Sequence, residues 1–245
     1  MELNRNMSNL LRVLLLAVIV SSGPWQHVAA QSNSADTTDS AVAQYKGVDI
    51  SHYQGDIDWA ALSTTGIKFV FIKATEADTD VDPKFAANWA GAGSTKLVRG
   101  AYHFFDPDVD ALSQANHFIA TVRLEPGDLP PALDIEVQEG ITTQKIDADI
   151  ELWLEKVAQA YGVRPIVYSD VSFIEKNLAS GFGKYPLWIA DYSNSAPAAP
   201  GDWASWTIWQ HSQSGKLDGI DGAVDLDVYQ GSETTWQQLL VPESK

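Results

Sequence analysis

The sequence predicts an irregular α/β barrel of the TIM type, with about eight strands and with helices missing from its second half. Three observations support this. Apolar runs of four to eight residues recur along the chain: Gly47–Ser51, Ile67–Ala74, Leu97–Phe104, Ala132–Val137, Pro165–Ser169, Leu187–Tyr192, Thr207–His211 and Ala223–Tyr229. Short strands joined by mostly long connections suggest parallel pairing around a barrel. Two connections place apolar residues at a period of 3.6 and predict helices. They are Asp108–Arg123, through Leu112, Ala115, Phe118, Ile119 and Val122, and Thr142–Tyr161, through Ile146, Ile150, Trp153, Leu154, Val157 and Ala158. The later connection Ser193–Ser205 carries Pro197, Pro200 and Gly201 and is poor helix material. After the last strand, Glu233–Leu240 is at most one short helix, and no internal repeat is visible.

The chain ahead of the first strand divides in two. Arg5 and Arg12 precede the apolar run Val13–Val20, and Val28-Ala29-Ala30 offers a small-residue cleavage site, so residues 1–30 resemble a secretory signal peptide. The run is shorter than the roughly 20 residues a membrane span needs. A secreted or periplasmic protein without stable membrane association is therefore expected. Residues 31–44 are small, polar and aperiodic and predict a flexible leader. Residues 45–240 suit one large domain, expected to act as a monomer.

Composition removes several function classes. There is no cysteine, which excludes cysteine nucleophiles, Cys-ligated zinc and a disulfide framework. The formal charge is −16, and loss of Glu2, Arg5 and Arg12 with the signal peptide makes the mature chain −17. Such a chain has no broad basic surface for nucleic acid or anionic membranes, whereas an uncharged stretch of a polymer remains a plausible ligand.

The segment Leu129–Val137, LPPALDIEV, places Asp134 and Glu136 two residues apart in an otherwise apolar strand. Alternation sends both carboxyls to one face and Leu133, Ile135 and Val137 to the other. Desolvation and like charge both raise the pKa of one member, so a proton donor can sit beside an ionised partner at neutral pH. Glycosidases use such a pair. The plainer alternative is that Asp134 caps a loop and Glu136 sits in an edge salt bridge.

In a barrel the site forms at the C-terminal strand ends. Those ends carry Asp49, Glu76, Tyr102, His103, Asp134, Glu136, Tyr168, Asp191, Tyr192, Trp209, Gln210, Asp225 and Asp227. Asp49 lies between Val48 and Ile50, and Asp225 between Val224 and Leu226, so each acid faces away from its apolar neighbours. Asp225-Leu226-Asp227 supplies too few oxygens for a metal site, and the histidines lack ligand spacing, so neither metal nor cofactor is expected. His117 on a helix reads as structural, His103 at a strand end as a site candidate. Tyr53, Tyr102, Tyr168, Tyr192 and Trp209 could present flat faces to sugar rings, and Gln210 could bind an acetamido or hydroxyl group. Trp153 and Trp188 read as core.

Several segments together resemble the glycoside hydrolase family 25 lysozymes, the N-acetylmuramidases. The matching stretches are YKGVDISHYQGDIDW (45–59), GIKFVFIKATEADTDVDPKF (66–85), VRGAYHFF (98–105), LPPALDIEV, RPIVYSD (164–170), YPLWIADY (185–192), WTIWQHS (206–212) and GAVDLDVYQG (222–231). The resemblance implies a catalytic barrel that cuts the β-1,4 bond between N-acetylmuramic acid and N-acetylglucosamine in peptidoglycan glycan strands. It implies that Glu136 is the general acid and that Asp134 stabilises developing charge or orients the acetamido group. Asp49 and Asp225 match two further acidic positions lining the cleft. Asp227 departs from the pattern, which more often has Asn there. Two alternatives stand beside this reading. A chitinase-like endo-N-acetylglucosaminidase would carry further aspartates before the Glu, and Leu129–Leu133 has none. A non-catalytic peptidoglycan-binding module would tolerate loss of the acids.

Overall fold

The computed structural model describes residues 43–137 and 140–243. The expected signal peptide and nearly all of the expected leader lie outside the described residues. Ala43 and Gln44, expected in the leader, instead open the first strand, where they pair with Gly231 and Gln230.

The nine strands are β1 (Ala43–Ile50), β2 (Phe69–Glu76), β3 (Asp80–Val81), β4 (Val98–Phe104), β5 (Ala132–Asp134), β6 (Ile166–Asp170), β7 (Leu187–Ala190), β8 (Ile208–Gly215) and β9 (Val224–Gly231). All eight expected strands are present, and β3 is a two-residue addition paired antiparallel to β2. The barrel runs β1-β9-β8-β7-β6-β5-β4-β2 and closes through parallel pairing of β1 with β2. The expected all-parallel barrel needs one correction: β9 runs antiparallel to both β8 and β1. Only residues 216–223 join β8 to β9, and a parallel return needs a crossover of about a dozen residues or more.

Among the described residues six α-helices flank the strands: α1 (Trp59–Leu62), α2 (Phe85–Gly93), α3 (Ala111–Thr121), α4 (Thr143–Tyr161), α5 (Val171–Asn177) and α6 (Glu233–Leu239). α3 is shorter than its apolar periodicity because Asp110 is the N-cap and accepts from the Ser113 amide. Thr142 caps α4 in the same way, and Gly162, at φ 70°, ends it in the left-handed region. No helix lies between β7 and β8, as the prolines there predict.

Alternation along the strands separates two cores. Val48, Ile50, Val70, Ile72, Leu133 and Ile189 face outward and pack with Phe118, Trp153 and Leu154 from α3 and α4. Phe69, Phe71, Ile166, Trp188, Ile208 and Tyr229 fill the lower lumen. Trp236 of α6 closes that end, with its ring 4.9 Å from Tyr229 and 5.1 Å from Tyr45. Gly47 and Gly100 make room for this plug: a Cβ at either would stand 2.2 Å or 2.5 Å from the ring of Phe69 or Phe71.

Candidate active site

Above the plug, at the C-terminal ends of the parallel strands, a cavity of about 210 Å³ opens to solvent. Eight of the expected site residues line it: Asp49, Tyr53, Tyr102, Asp134, Glu136, Tyr168, Gln210 and Asp225. A larger open groove of about 630 Å³, along Pro186, Thr207 and Gln230 at the other end of the barrel, is lined by no Asp or Glu. The acid chemistry therefore belongs to the smaller cavity.

Strand direction explains how the acids converge. Asp49 stands at the C-terminal end of β1, whereas Asp225 stands at the N-terminal end of β9. The antiparallel register puts them directly opposite each other. Asp134 ends β5, and Glu136 follows two residues later, on an extension tied to β6 by the Ile135 amide and the Ser169 hydroxyl. Asp134 is buried and Glu136 stands exposed at the mouth. Asp134 caps nothing, and Glu136 makes no ion pair among the described residues.

Gln210 joins the groups. Its Nε2 donates to Asp49 Oδ2 at 2.7 Å, and its Oε1 accepts the hydroxyls of Tyr168 at 2.9 Å and Tyr192 at 2.7 Å. Expected to meet substrate, Gln210 is 2 % exposed and its amide is engaged with protein partners. Tyr192, half exposed, stands at the rim through that bond. Tyr53 is 82 % exposed, and its ring lies 4.1 Å from that of His52. Asp82 fixes His52 by accepting from both its backbone amide and Nδ1.

Three expected residues lie elsewhere. His103 points outward from β4, because its neighbour Tyr102 points in. It is fully buried against Trp153, between Thr75 Oγ1 at 2.7 Å and Gln114 Oε1 at 3.0 Å. Burial pushes its pKa down to about 3, so it is a neutral core histidine. Trp209 alternates out of the cavity beside Gln210, packs near Trp206 and donates Nε1 to the Asp191 carbonyl. Asp191 closes a turn by accepting from the Ser193 amide.

Sequence reasoning missed Lys73, which enters the cavity from β2. Its ammonium is 2.6 Å from Glu76 Oε2 and 4.7 Å from the Phe104 ring centre. A lone cation two residues after inward Phe71 was the available signal. Trp188, read as core, is both core and cavity floor. Its ring stacks on Phe71 at 4.5 Å while Nε1 donates to Asp227 Oδ1 at 2.8 Å.

Burial dominates the electrostatics. It raises Asp134 well above the ordinary carboxylate value, with Glu136 and Asp49 adding repulsion and Lys73 opposing. Glu136 is also raised, first by desolvation and then by Asp170 and Asp225, against the lowering effects of Tyr168 and Lys73. Asp49 and Asp225 are raised by the same loss of water. These carboxyls cannot all be charged at neutral pH, so at least one proton stays in the cleft.

A barrel with proton-holding carboxyls and tyrosines at its mouth carries the groups that glycoside hydrolysis needs. The model of the glycosyl hydrolases family 25 matches residues 48–220, and the chain belongs to that family. The match stops short of β9 and its two aspartates. The chain is 40 % identical over 199 residues to the uncharacterized protein YegX of Escherichia coli O157:H7, covering 79 % of this chain and 72 % of that one. It is 32 % identical over 204 residues to Lysozyme M1 of Streptomyces globisporus, covering 76 % and 68 %. The family 25 glycosyl hydrolase structure from Bacillus anthracis superposes with a TM-score of 0.74 at 33 % identity, covering 79 % of this chain and 92 % of that one.

Proposed function

We propose that this protein is a muramidase that hydrolyses the β-1,4 bond between N-acetylmuramic acid and N-acetylglucosamine in peptidoglycan. The observation that carries the reading is the pair at the end of β5: an exposed carboxyl, Glu136, raised by its surroundings, above a buried one, Asp134, in the same cavity. Protonated Glu136 donates to the glycosidic oxygen, the bond to the anomeric carbon breaks, and its electron pair stays with the departing oxygen. Positive charge then develops at the anomeric carbon. Asp134 stabilises that charge or orients the acetamido group, and water adds to the carbon while its proton returns to Glu136.

The two carboxyls repel each other only when both are ionised. With the proton on Glu136, Asp134 no longer feels that charge and ionises more readily. Asp49 and Asp225 line the sugar cleft. Tyr53, Tyr102, Tyr168 and Tyr192 surround it with ring faces and hydroxyls suited to an uncharged pyranose. The resemblance of the chain to Lysozyme M1 supports the substrate. Export by the signal peptide at residues 1–30, release outside the cytoplasm and action as a monomer are part of the same proposal. Among the described residues, no helix is long and apolar enough to cross a membrane.

Identification of the reducing-end sugar released from purified peptidoglycan tests the reading. Muramic acid at the new reducing end is the expected result. Glucosamine there points to an endo-N-acetylglucosaminidase, and no release points to a binding module.

A further inference from the structure

Asp227 is the most buried acid beneath the cleft, at 1 % exposure, and the reaction outlined above gives it no task. It lies two residues below Asp225 on the lumen face of β9. Its register partners are Gly47 of β1 and Gln210 of β8. Oδ1 accepts the indole N–H of Trp188 at 2.8 Å. Oδ2 is buried and no N–H or hydroxyl of the described residues reaches it. Asp49 lies diagonally above it: it follows Gly47, the β1 partner of Asp227, by two residues on the same lumen face, and its Oδ2 accepts from Gln210, the β8 partner of Asp227. Two acids so placed and out of water favour a shared proton, because the oxygens not already held by Trp188 and Gln210 would otherwise have no hydrogen between them.

We propose that Asp227 works as a hydrogen-bond donor, its Oδ2–H directed at the Asp49 carboxyl, and is thereby a positioning residue that holds Asp49 in the cleft. The indole N–H settles which oxygen carries the hydrogen. Oδ1 is occupied as an acceptor, so the O–H sits on Oδ2, the oxygen left without a partner. The surroundings keep it there. Asp49 from β1 and Asp225 from its own strand are acidic, while β7 and β8 contribute the neutral Trp188 and Gln210. Asp227 makes no ion pair among the described residues. Burial, then the charge of Asp49, raises its pKa well above the ordinary carboxylate value. Asp49 is thus gripped from two sides, by the Gln210 amide and by the Asp227 acid, and a third neighbour, Asp225, stands opposite it at the cavity.

This role extends the hydrolase reading, and one arm of its test does not depend on activity. Asp227→Asn keeps both bonds, since the amide oxygen can accept from Trp188 and the amide N–H can donate to Asp49. Turnover of the Asn variant is expected to stay close to wild type. Asp227→Leu keeps the size but removes the donor, and its turnover is expected to fall roughly tenfold to a hundredfold, as for a misplaced active-site group. Melting temperature against pH supplies the second arm. The unfolded chain releases the Asp227 proton above about pH 4 while the folded chain retains it, so wild-type stability falls with rising pH and the Asn variant escapes that loss. The gap in melting temperature, Asn variant minus wild type, should therefore widen from pH 4 to pH 8. A gap that stays constant or narrows means that Asp227 is ionised in the folded protein and overturns the donor role. So does a folded Asn variant with turnover as low as the Leu variant. If instead the widening gap is seen in a protein that cleaves no peptidoglycan, the donor stands and the proposed function fails.

Discussion

In the lower half of the barrel lumen the strands meet as rings, and in the upper half the same strands meet as carboxyls and amides. Along β2 the inward residues climb from Phe69 through Phe71 to Lys73. Along antiparallel β9 they climb from Tyr229 through Asp227 to Asp225. Trp188 is the boundary, stacked on Phe71 below and bonded to Asp227 above. The difference teaches why the acids hold protons. The aromatic plug excludes water from beneath, so the carboxyls can be hydrated only through the mouth. Desolvation is accordingly the largest cause of the shift at Asp49, Asp134, Glu136, Asp225 and Asp227.

Substitutions in the two halves should therefore fail in different ways. Glu136→Gln, in the upper half, removes a transferable proton and keeps the shape. Peptidoglycan turnover should fall by about 10²–10⁴-fold with the melting temperature nearly unchanged. Phe71→Ala, in the lower half, removes a fully buried ring that Trp188 stacks upon. It should cost about 3–5 kcal/mol in denaturant unfolding. If Phe71→Ala spared stability, or Glu136→Gln lost both stability and turnover, the division between the halves would be broken.

The pH dependence of stability sharpens the same comparison. Burial and Asp225 push Asp49 up to about 8 from the ordinary 3.8, with Asp134 and Asp227 also raised. Each is an acid whose folded-state pKa exceeds its unfolded value, so the unfolded chain binds fewer protons between about pH 4 and pH 8. Stability should fall across that window, by up to about 1.4 kcal/mol per pH unit for each such group. Phe71→Ala, which thins the plug beneath the acids, should lower the whole curve and make its slope shallower. Chemical unfolding at a series of pH values checks both. A smaller effect is expected from Lys73→Met. Lys73 lowers Asp134 and Glu136 alike, so its removal should let Glu136 keep its proton longer and move the alkaline limb of the pH–rate profile to higher pH.

Much of this was legible in the sequence because strand alternation is strict. The apolar neighbours Val48 and Ile50 forced Asp49 inward, and the same held for Asp134 and Glu136 against Leu133 and Ile135. The same rule, applied at the end of β4, separates Tyr102 from His103 and sends the histidine outward, although it stands near the strand end. Trp209 points outward beside Gln210 by the same rule. Asp225 was placed at the site as a C-terminal strand residue, whereas it begins its strand. The short 216–223 connection was the missed sign of reversal. The bond proposed from Asp227 to Asp49 was beyond sequence reasoning, since it depends on which oxygen of the carboxyl an indole from β7 occupies.

The account rests on Glu136 carrying a proton where an ordinary glutamate would have lost it, and the pH dependence of kcat/KM on peptidoglycan reports that proton directly. The alkaline limb for the wild-type protein should have its midpoint above 4.5, the ordinary value from which Glu136 is raised, and should vanish from the residual activity of Glu136→Gln. A midpoint at or below 4.5, or an unchanged limb in the Gln variant, would contradict it.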